Sequence, residues 1–348
     1  MRIAVDAMGG DFAPNAVVAG AYQAASEDGI PILLVGDRPT LERQLTKQGG
    51  HQPAIEVVHS EEVVGMEEPP ITPLRKKKRS SIRICGELVK EGRAQAMVSA
   101  GNTGASLIVA KTVIGSIKGV DRPALATVFP SPRGGTVVLD VGANIDSKPE
   151  HLRQFAVMGH FYAQEILGTP SPRVGLMSIG EEQSKGSDLT KAVFHEMEAT
   201  GFNFVGNVEG RDVFRGSVDV IVCDGFVGNV LLKSAESLVG LMSGMMKDEL
   251  SKSWRSRLGY SLARPAFESF RRRVDYREYG AAPLLGVKAG CFIGHGRSNP
   301  RAIQNSIRRS VEFCEADLHN KIRERVAELH SQEERLLKTR LVEETPTA

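Results

Sequence analysis

Cysteine is scarce and scattered in this chain of 348 residues. Its four thiols, Cys85, Cys223, Cys291 and Cys314, form no CxxC pair and stand at no metal-ligand spacing from histidine. That excludes a zinc ribbon and a disulfide framework, and reads as buried, reduced thiols of a cytoplasmic protein. No apolar run approaches the roughly 18 residues a spanning helix needs. The opening MRIAVDAMGGD passes straight into a strand and a glycine turn, so no signal peptide is expected. GxGxxG is missing, which argues against a dinucleotide enzyme, and no glycine loop carries the Lys-Ser/Thr of a P-loop. A net charge of +2 is too small to argue for nucleic acid. No metal and no cofactor is signalled.

What is present is ordinary in bulk, with 41% hydrophobic and 25% charged residues in a length that suits one large α/β domain or two small ones. The stretch from Ser217 to Lys233 is the most informative. Val218, Val220 and Val222 alternate with Asp219 and Ile221 as a buried strand, Asp224 and Gly225 end it, and Gly228 and Asn229 open a helix. Val230, Leu231, Ser234 and Leu238 would form that helix's apolar face.

The same strand–turn–helix device recurs. RIAVD leads to Gly9, Gly10 and Asp11, where Asp11 or Pro14-Asn15 would cap a helix beginning near Ala16. Strands at Ile32–Val35 and Ile55–His59 flank a helix from about Thr40 to Gln48. Met97-Val98 runs into Ser99, Gly101, Asn102 and Thr103 ahead of an apolar helix, and Thr136–Val141 into Gly142, Asn144 and Asp146 ahead of a helix entered at Pro149. Val174–Ile179 ends in Gly180, Lys185 and Gly186. Such alternation predicts a three-layer α/β/α fold around a mostly parallel, doubly wound sheet. Five such strand ends are expected to converge on one crevice, where helix N-termini offer N–H groups to an anion.

Three segments break the rhythm. The loop GMEEPPITPLRKKKRSS, kept irregular by Pro69, Pro70 and Pro73, carries five consecutive cations from Arg75 to Arg79. It is a solvated face, or it attracts an anionic ligand or an acidic protein; no aromatics are interleaved to stack on bases. SAESLVGLMSGMMKDEL is Met- and Leu-rich, suiting core or a subunit interface. The stretch after it mixes Trp254, Leu258, Leu262 and Phe267 with Arg257 and Arg264, broken in two at Pro265. It is a surface helix pair packed on the body, a basic amphipathic element on anionic lipid, or a contact for an acidic protein. A long helix from Asn299-Pro300 carries an apolar stripe to Leu329. The expected division is a single domain over 1–330, with a helical projection at about 235–280, and a charged, fraying tail over 331–348.

The motifs DAMGGD at Asp6, SAGNTGA at Ser99, RPALA at Arg122, DVGAN at Asp140, NVEGRD at Asn207, CDGFVGNVLLK at Cys223 and GAAPLLGV at Gly280 run in order through most of the chain. With them the sequence closely resembles the phosphate acyltransferase (PlsX) family of bacterial phospholipid synthesis. The resemblance implies transfer of a long fatty acyl group from acyl carrier protein to inorganic phosphate, giving acyl phosphate for a membrane glycerol-3-phosphate acyltransferase. It implies a fold like that of phosphate acetyltransferases and isocitrate dehydrogenases. It also implies a cytoplasmic homodimer associated peripherally with the membrane.

The chemistry suits the residues, because a thioester is already activated and phosphate needs little deprotonation. Asn229 would donate its amide to the oxyanion, or merely cap its helix; Lys185 would neutralise phosphate or the leaving thiolate, or be solvated. Asp224 would orient a neighbouring donor or bond its own turn. The N–H groups at Gly101–Thr103 and Gly142–Asn144 would hold phosphate, or only shape turns. His295 would touch ligand, or bond its own loop. Competing readings are a short-chain phosphate acetyltransferase using coenzyme A and a non-catalytic membrane-recruited scaffold.

Overall fold

The computed structural model describes residues 1–198, 200–274 and 280–343. Among them, short runs of Ile, Val, Leu and Ala form the strands β1 (Ile3–Asp6), β2 (Ile32–Gly36), β3 (Ile55–His59), β4 (Ala96–Ser99), β5 (Ala124–Ser131), β6 (Gly134–Leu139), β7 (Arg173–Met177), β8 (Asn203–Val208), β9 (Val220–Val222), β10 (Ala282–Leu285) and β11 (Gly290–Ile293). They make one sheet in the order β3-β2-β1-β4-β11-β10-β5-β6-β9-β7-β8. The central strands are largely apolar because both faces are covered. Successive residues alternate between two cores, with Ile3, Val5 and Val98 on one face and Ala4, Met97 and Ile221 on the other.

The first core is covered by α1 (Asn15–Glu27), α6 (Pro149–Glu165), α7 (Asp188–Glu198) and α10 (Pro300–Glu315), the second by α4 (Ser81–Lys90), α5 (Thr103–Val109) and the start of α8 (Gly225–Ser251). Side-chain caps set several helix starts: Asp37 accepts from Thr40 N–H ahead of α2 (Arg38–Gln48), and Asn299 from Ala302 N–H ahead of α10. Pro149 occupies the first turn of α6, as its fixed φ favours. No described helix is long and apolar enough to cross a membrane.

The three-layer reading holds, but the sheet is not uniformly directed. β1, β2, β3, β4 and β11 are parallel to one another. β10 is antiparallel to β11 and to β5, and β5 is antiparallel to β6. After three reversals, β6, β9, β7 and β8 are again mutually parallel but opposed to the first set. The carboxyl ends of β1 and β4 therefore face one edge of the sheet, and those of β6, β7 and β9 the other. The expected convergence is met by four of the five ends, since residues following β1, β4, β6 and β9 still line one cavity and the loop after β7 does not.

Smaller corrections have local causes. α1 starts behind Pro14 without a side-chain cap, so Asp11 does not cap it. The Pro-rich segment holds a short helix, α3 (Thr72–Arg75), with Pro73 in its first turn. β7 ends at Met177, leaving Ile179 81% exposed, and β6 ends at Leu139. α9 (Trp254–Val274) runs unbroken through Pro265, on a stretch exposed enough that the carbonyl deprived of its N–H partner stays open to solvent. The last helix is instead two, divided by Asp317 at φ 50°: α10, and α11 (Leu318–Glu343), which carries the tail past Ser331 as helix. Residues 275–279 of the expected projection and 344–348 of the tail lie outside the described residues.

On α6 the ring of His160 stacks on Phe202, centroids 4.4 Å apart, and its buried Nδ1 has no hydrogen-bond partner among the described residues. Burial lowers its pKa below the usual 6.5, and Arg325 pushes the same way. The unfolded ring then protonates first as pH falls. Its contribution is intact above about 6.5 and is lost as pH drops toward the depressed folded value. Thermal melts at pH 7.5 and 5.5 should show a smaller loss of stability for His160→Phe than for the unaltered chain; equal losses would refute the assignment.

Candidate active site

The site begins at the end of β6. Asp140 is fully buried, and its carboxylate gathers the following turn. Oδ1 accepts from the N–H groups of Leu125 (2.9 Å), Gly142 (3.3 Å) and Ala143 (3.1 Å). Oδ2 accepts from the Asn144 N–H (2.6 Å) and side-chain amide (3.0 Å). Burial raises the Asp140 pKa, while these donors pull it back down. The N–H groups of Gly142, Ala143 and Asn144 are thus already bonded and do not form a phosphate cradle. Asp146 is exposed beyond the turn.

The neighbouring β9 feeds α8, which starts at Gly225 rather than Gly228 because Asp224 is its N-cap. The Asp224 carboxylate accepts from Phe226 and Val227 N–H, both at 2.9 Å. Gly225 N–H donates to the Asn144 carbonyl. This helix terminus is closed to an outside anion. Gly228 is required by proximity: a Cβ there would lie 1.9 Å from the Asp140 carbonyl oxygen. α8 turns Leu231, Leu232 and Ala235 toward the body, whereas Val230 and Leu238 are exposed, which corrects the expected apolar face. Cys223 is buried beneath, and burial drives its thiol pKa well up, so it is no thiolate nucleophile.

The opposite edge is built alike. Buried Ser99 donates to Asp6 at 2.7 Å, and its oxygen accepts from Gly101 N–H at 3.1 Å. Burial raises the Asp6 pKa against the pull of its donors. Gly9 fits against the Gly101 backbone, and Asp11 N–H donates to the Gly296 carbonyl beside Gly10. Asn102 caps α5 by accepting from Ala105 N–H, and its amide donates to the carbonyls of Gly65, Met66 and Glu68. Ser99 and Asn102 therefore hold the turn itself.

A cavity of about 370 Å³ opens where β11, β10 and β5 meet, the place where strand direction reverses. Asp11, Met66 and Thr103 reach it from the first edge, Gly142 and Asn229 from the second. Leu125, Val128, Val141, Leu232, Pro283 and Ile293 give it apolar walls, with Tyr162, Leu167 and Arg309 among the remaining lining. Asn229, Lys233 and Glu236 follow one another at helical spacing along α8. Lys233 Nζ lies 2.9 Å from Glu236. Burial holds the pKa of His295 below the usual range; Lys233 pushes the same way and Glu236 against it. Asn229 stands against Gly142, whose φ of 133° suits glycine alone and whose missing Cβ would lie 3.4 Å from the Asn229 Oδ1. Among the described residues the Asn229 amide makes no hydrogen bond.

Of the residues singled out in the sequence, the cavity thus unites Asp11, Thr103, Gly142, Asn229 and His295. Gly9, Gly10, Ser99, Gly101 and Asn102 stand behind one wall, and Asn144 and Asp224 support another. Lys185 follows β7 on an exposed loop outside the lining; its ammonium makes no ion pair among the described residues. Trp254, Leu258 and Leu262 face solvent on α9, Arg257 donates to the Ser251 carbonyl, Arg264 pairs with Glu268, and Phe267 packs on Tyr260. Lys233, Glu236, Tyr162 and Arg309 escaped the sequence reading. Only Lys233 had a cue, four residues after Asn229 in the same motif.

Comparisons with known proteins agree with this architecture. The profile of a family described as fatty acid synthesis protein matches residues 1–321. A phosphate acyltransferase of Pelotomaculum thermopropionicum is 50% identical over 325 residues, covering 93% of this chain and 94% of that protein. A phosphate acyltransferase of Aquifex aeolicus is 50% identical over 323 residues, covering 92% and 96%. Among solved structures, a phosphotransacetylase from Streptococcus pyogenes superimposes with a TM-score of 0.62 at 16% identity, covering 91% of this chain and 94% of that one. A branched-chain phosphotransacylase from Enterococcus faecalis gives 0.53 at 16%, covering 90% and 98%. At such identities these two establish the fold alone. The family match and the relatives at half identity establish descent: this chain belongs to the fatty acid synthesis protein family.

Proposed function

We propose that the chain is an acyltransferase that moves a long-chain fatty acyl group from acyl carrier protein to inorganic phosphate. The observation that carries this reading is the near-full-length identity of about half with proteins named phosphate acyltransferase. The site supports it. A phosphate oxygen bonds to the thioester carbonyl carbon, the C–S bond breaks, and the thiolate leaves with the electron pair, taking up the proton of hydrogen phosphate. Asn229 donates its unpartnered amide to the oxyanion of the tetrahedral intermediate, and the apolar walls accept the acyl chain. Lys185, on the exposed loop after β7 outside the cavity lining, has no assigned part in this step. Asp224 acts through the start of α8.

The finer setting belongs to the same reading. Residues 1–330 act as one unit that works in the cytoplasm as a homodimer at the inner membrane face and supplies acyl phosphate to a membrane glycerol-3-phosphate acyltransferase. Leu238, Leu241, Met242 and Met245 on α8, all more than half exposed, suit a partner subunit; Trp254, Leu258 and Leu262 on α9 suit lipid.

The test is a thioester panel given to the purified chain with phosphate, acyl phosphate being trapped as hydroxamate, and vesicle sedimentation on the same preparation. Phosphate-dependent product from palmitoyl-acyl carrier protein, in excess over that from acetyl coenzyme A, is expected. The reverse preference would make it a short-chain enzyme. Vesicle binding without any product would make it a scaffold.

A further inference from the structure

Resting on the acyl-transfer reading, we propose that Arg75, Lys76 and Lys78 form the docking surface for the acidic carrier protein, at the rim through which its acyl thioester enters. Of the five consecutive cations, two are spent on holding the segment in place. Lys77 bonds Glu68 and the Val63 carbonyl, and Arg79 pairs with Glu61 at 2.9 Å while its N–H donates to Glu62 at 2.8 Å. Arg75, Lys76 and Lys78 are exposed, and among the described residues their side chains have neither ion pair nor hydrogen bond.

Their placement is fixed relative to the cavity. The Asn102 amide donates to the carbonyls of Gly65 (3.3 Å), Met66 (2.9 Å) and Glu68 (2.9 Å), and Met66 itself lines the cavity beside Thr103. Gly104 of α5 packs so closely on Pro70 that a Cβ would sit 2.6 Å from its ring. The segment that carries the cations is thus fastened to the entrance by both hydrogen bonds and packing. On the other basic stretch three cations already have partners among the described residues: Arg255 lies over the Trp254 ring, Arg257 bonds the Ser251 carbonyl, and Arg264 pairs with Glu268. Three exposed cations without a close ion pair, on a segment fastened beside the cavity, attract and orient a partner of opposite charge. A thioester lacking the protein has no use for it.

The experiment compares the unaltered chain with Arg75→Glu/Lys76→Glu/Lys78→Glu. Binding of carrier protein is read by fluorescence anisotropy at low salt, and kcat/KM is read for the same acyl group on carrier protein and on pantetheine. Binding weaker by at least about 10-fold, with a gap that narrows as salt shortens the screening length, is expected. So is a matching fall in kcat/KM for the carrier-borne substrate, with pantetheine thioester and the KM for phosphate unchanged. Unchanged carrier binding overturns the proposal. An equal fall on both thioesters, or a raised KM for phosphate, overturns it in favour of a role in the cavity. Loss of binding to phosphatidylglycerol vesicles with intact carrier binding assigns the cations to lipid instead. A chain that binds carrier protein through these residues yet turns over no thioester leaves docking standing and sinks the acyl-transfer reading.

Discussion

Asn229→Ala lowers acyl phosphate formation by about 100- to 1,000-fold, the usual cost of one lost oxyanion donor, with the fold intact. The two halves of this expectation rest on different observations. The amide makes no hydrogen bond among the described residues and the residue is exposed on α8. Its removal therefore orphans nothing, and alanine is the better helix former by about half a kcal/mol. The melting temperature should hold or rise slightly while kcat falls. Asn229→Asp keeps the shape but replaces the donor with an acceptor, so it should be at least as slow. Hydroxamate trapping under saturating thioester and phosphate reads the effect. A rate within about 10-fold of the unaltered chain would return Asn229 to the surface and leave the oxyanion without its proposed donor.

Asp140→Ala should act on the fold itself. One fully buried carboxylate satisfies four backbone N–H groups and one side-chain amide, tying β5 to the turn on which α8 seats. Each buried donor left unpaired costs about 1–3 kcal/mol. Orphaning even two of them removes about 2–6 kcal/mol from a total that is about 5–15 for an ordinary domain. The urea midpoint should drop accordingly, and Asp140→Asn should fall between, since it keeps one acceptor oxygen but turns an N–H toward the Asn144 donors. A shift of less than about 1 kcal/mol for the alanine variant would mean that water replaces the carboxylate, and that the turn is held elsewhere.

Much of this architecture is legible in residue order. The switch between period-2 apolar runs and helical stripes locates β1 to β4 and α6, Pro149 marks a helix start, and Asn229 with Lys233 four residues on shows which groups share a helical face. What could not be read is direction. β10 and β11 are four-residue strands inside GAAPLLGVKAGCFIG, too short for a period, and the β5–β6 hairpin turns on Pro132 and Arg133 without a strong turn pair. Missing those pairings, the alternation looks like one parallel sheet. Nor does composition say which amides are already occupied. Gly142 to Asn144 look like an anion cradle until Asp140 is seen to fill it from within, and the α8 terminus looks open until Asp224 closes it.

The central hairpin also bears on how the chain is made. β4 and β5 are separated in the finished sheet only by β11 and β10, so until the Ala282–Ile293 segment emerges from the ribosome both strands present bare edges. At roughly 5–20 residues per second, synthesis of the roughly 190 residues between Ser99 and Gly290 takes about 10–40 s. Throughout that interval the unpaired side of Ala96–Ser99 is a template for another nascent chain. Apart from the β10-facing edge of β5, the strands from β5 to β9 pair with one another and can assemble meanwhile. The hairpin then enters last, as the piece that joins two prefolded half-sheets, and a message truncated just before it would yield two sticky halves rather than a slightly shortened enzyme.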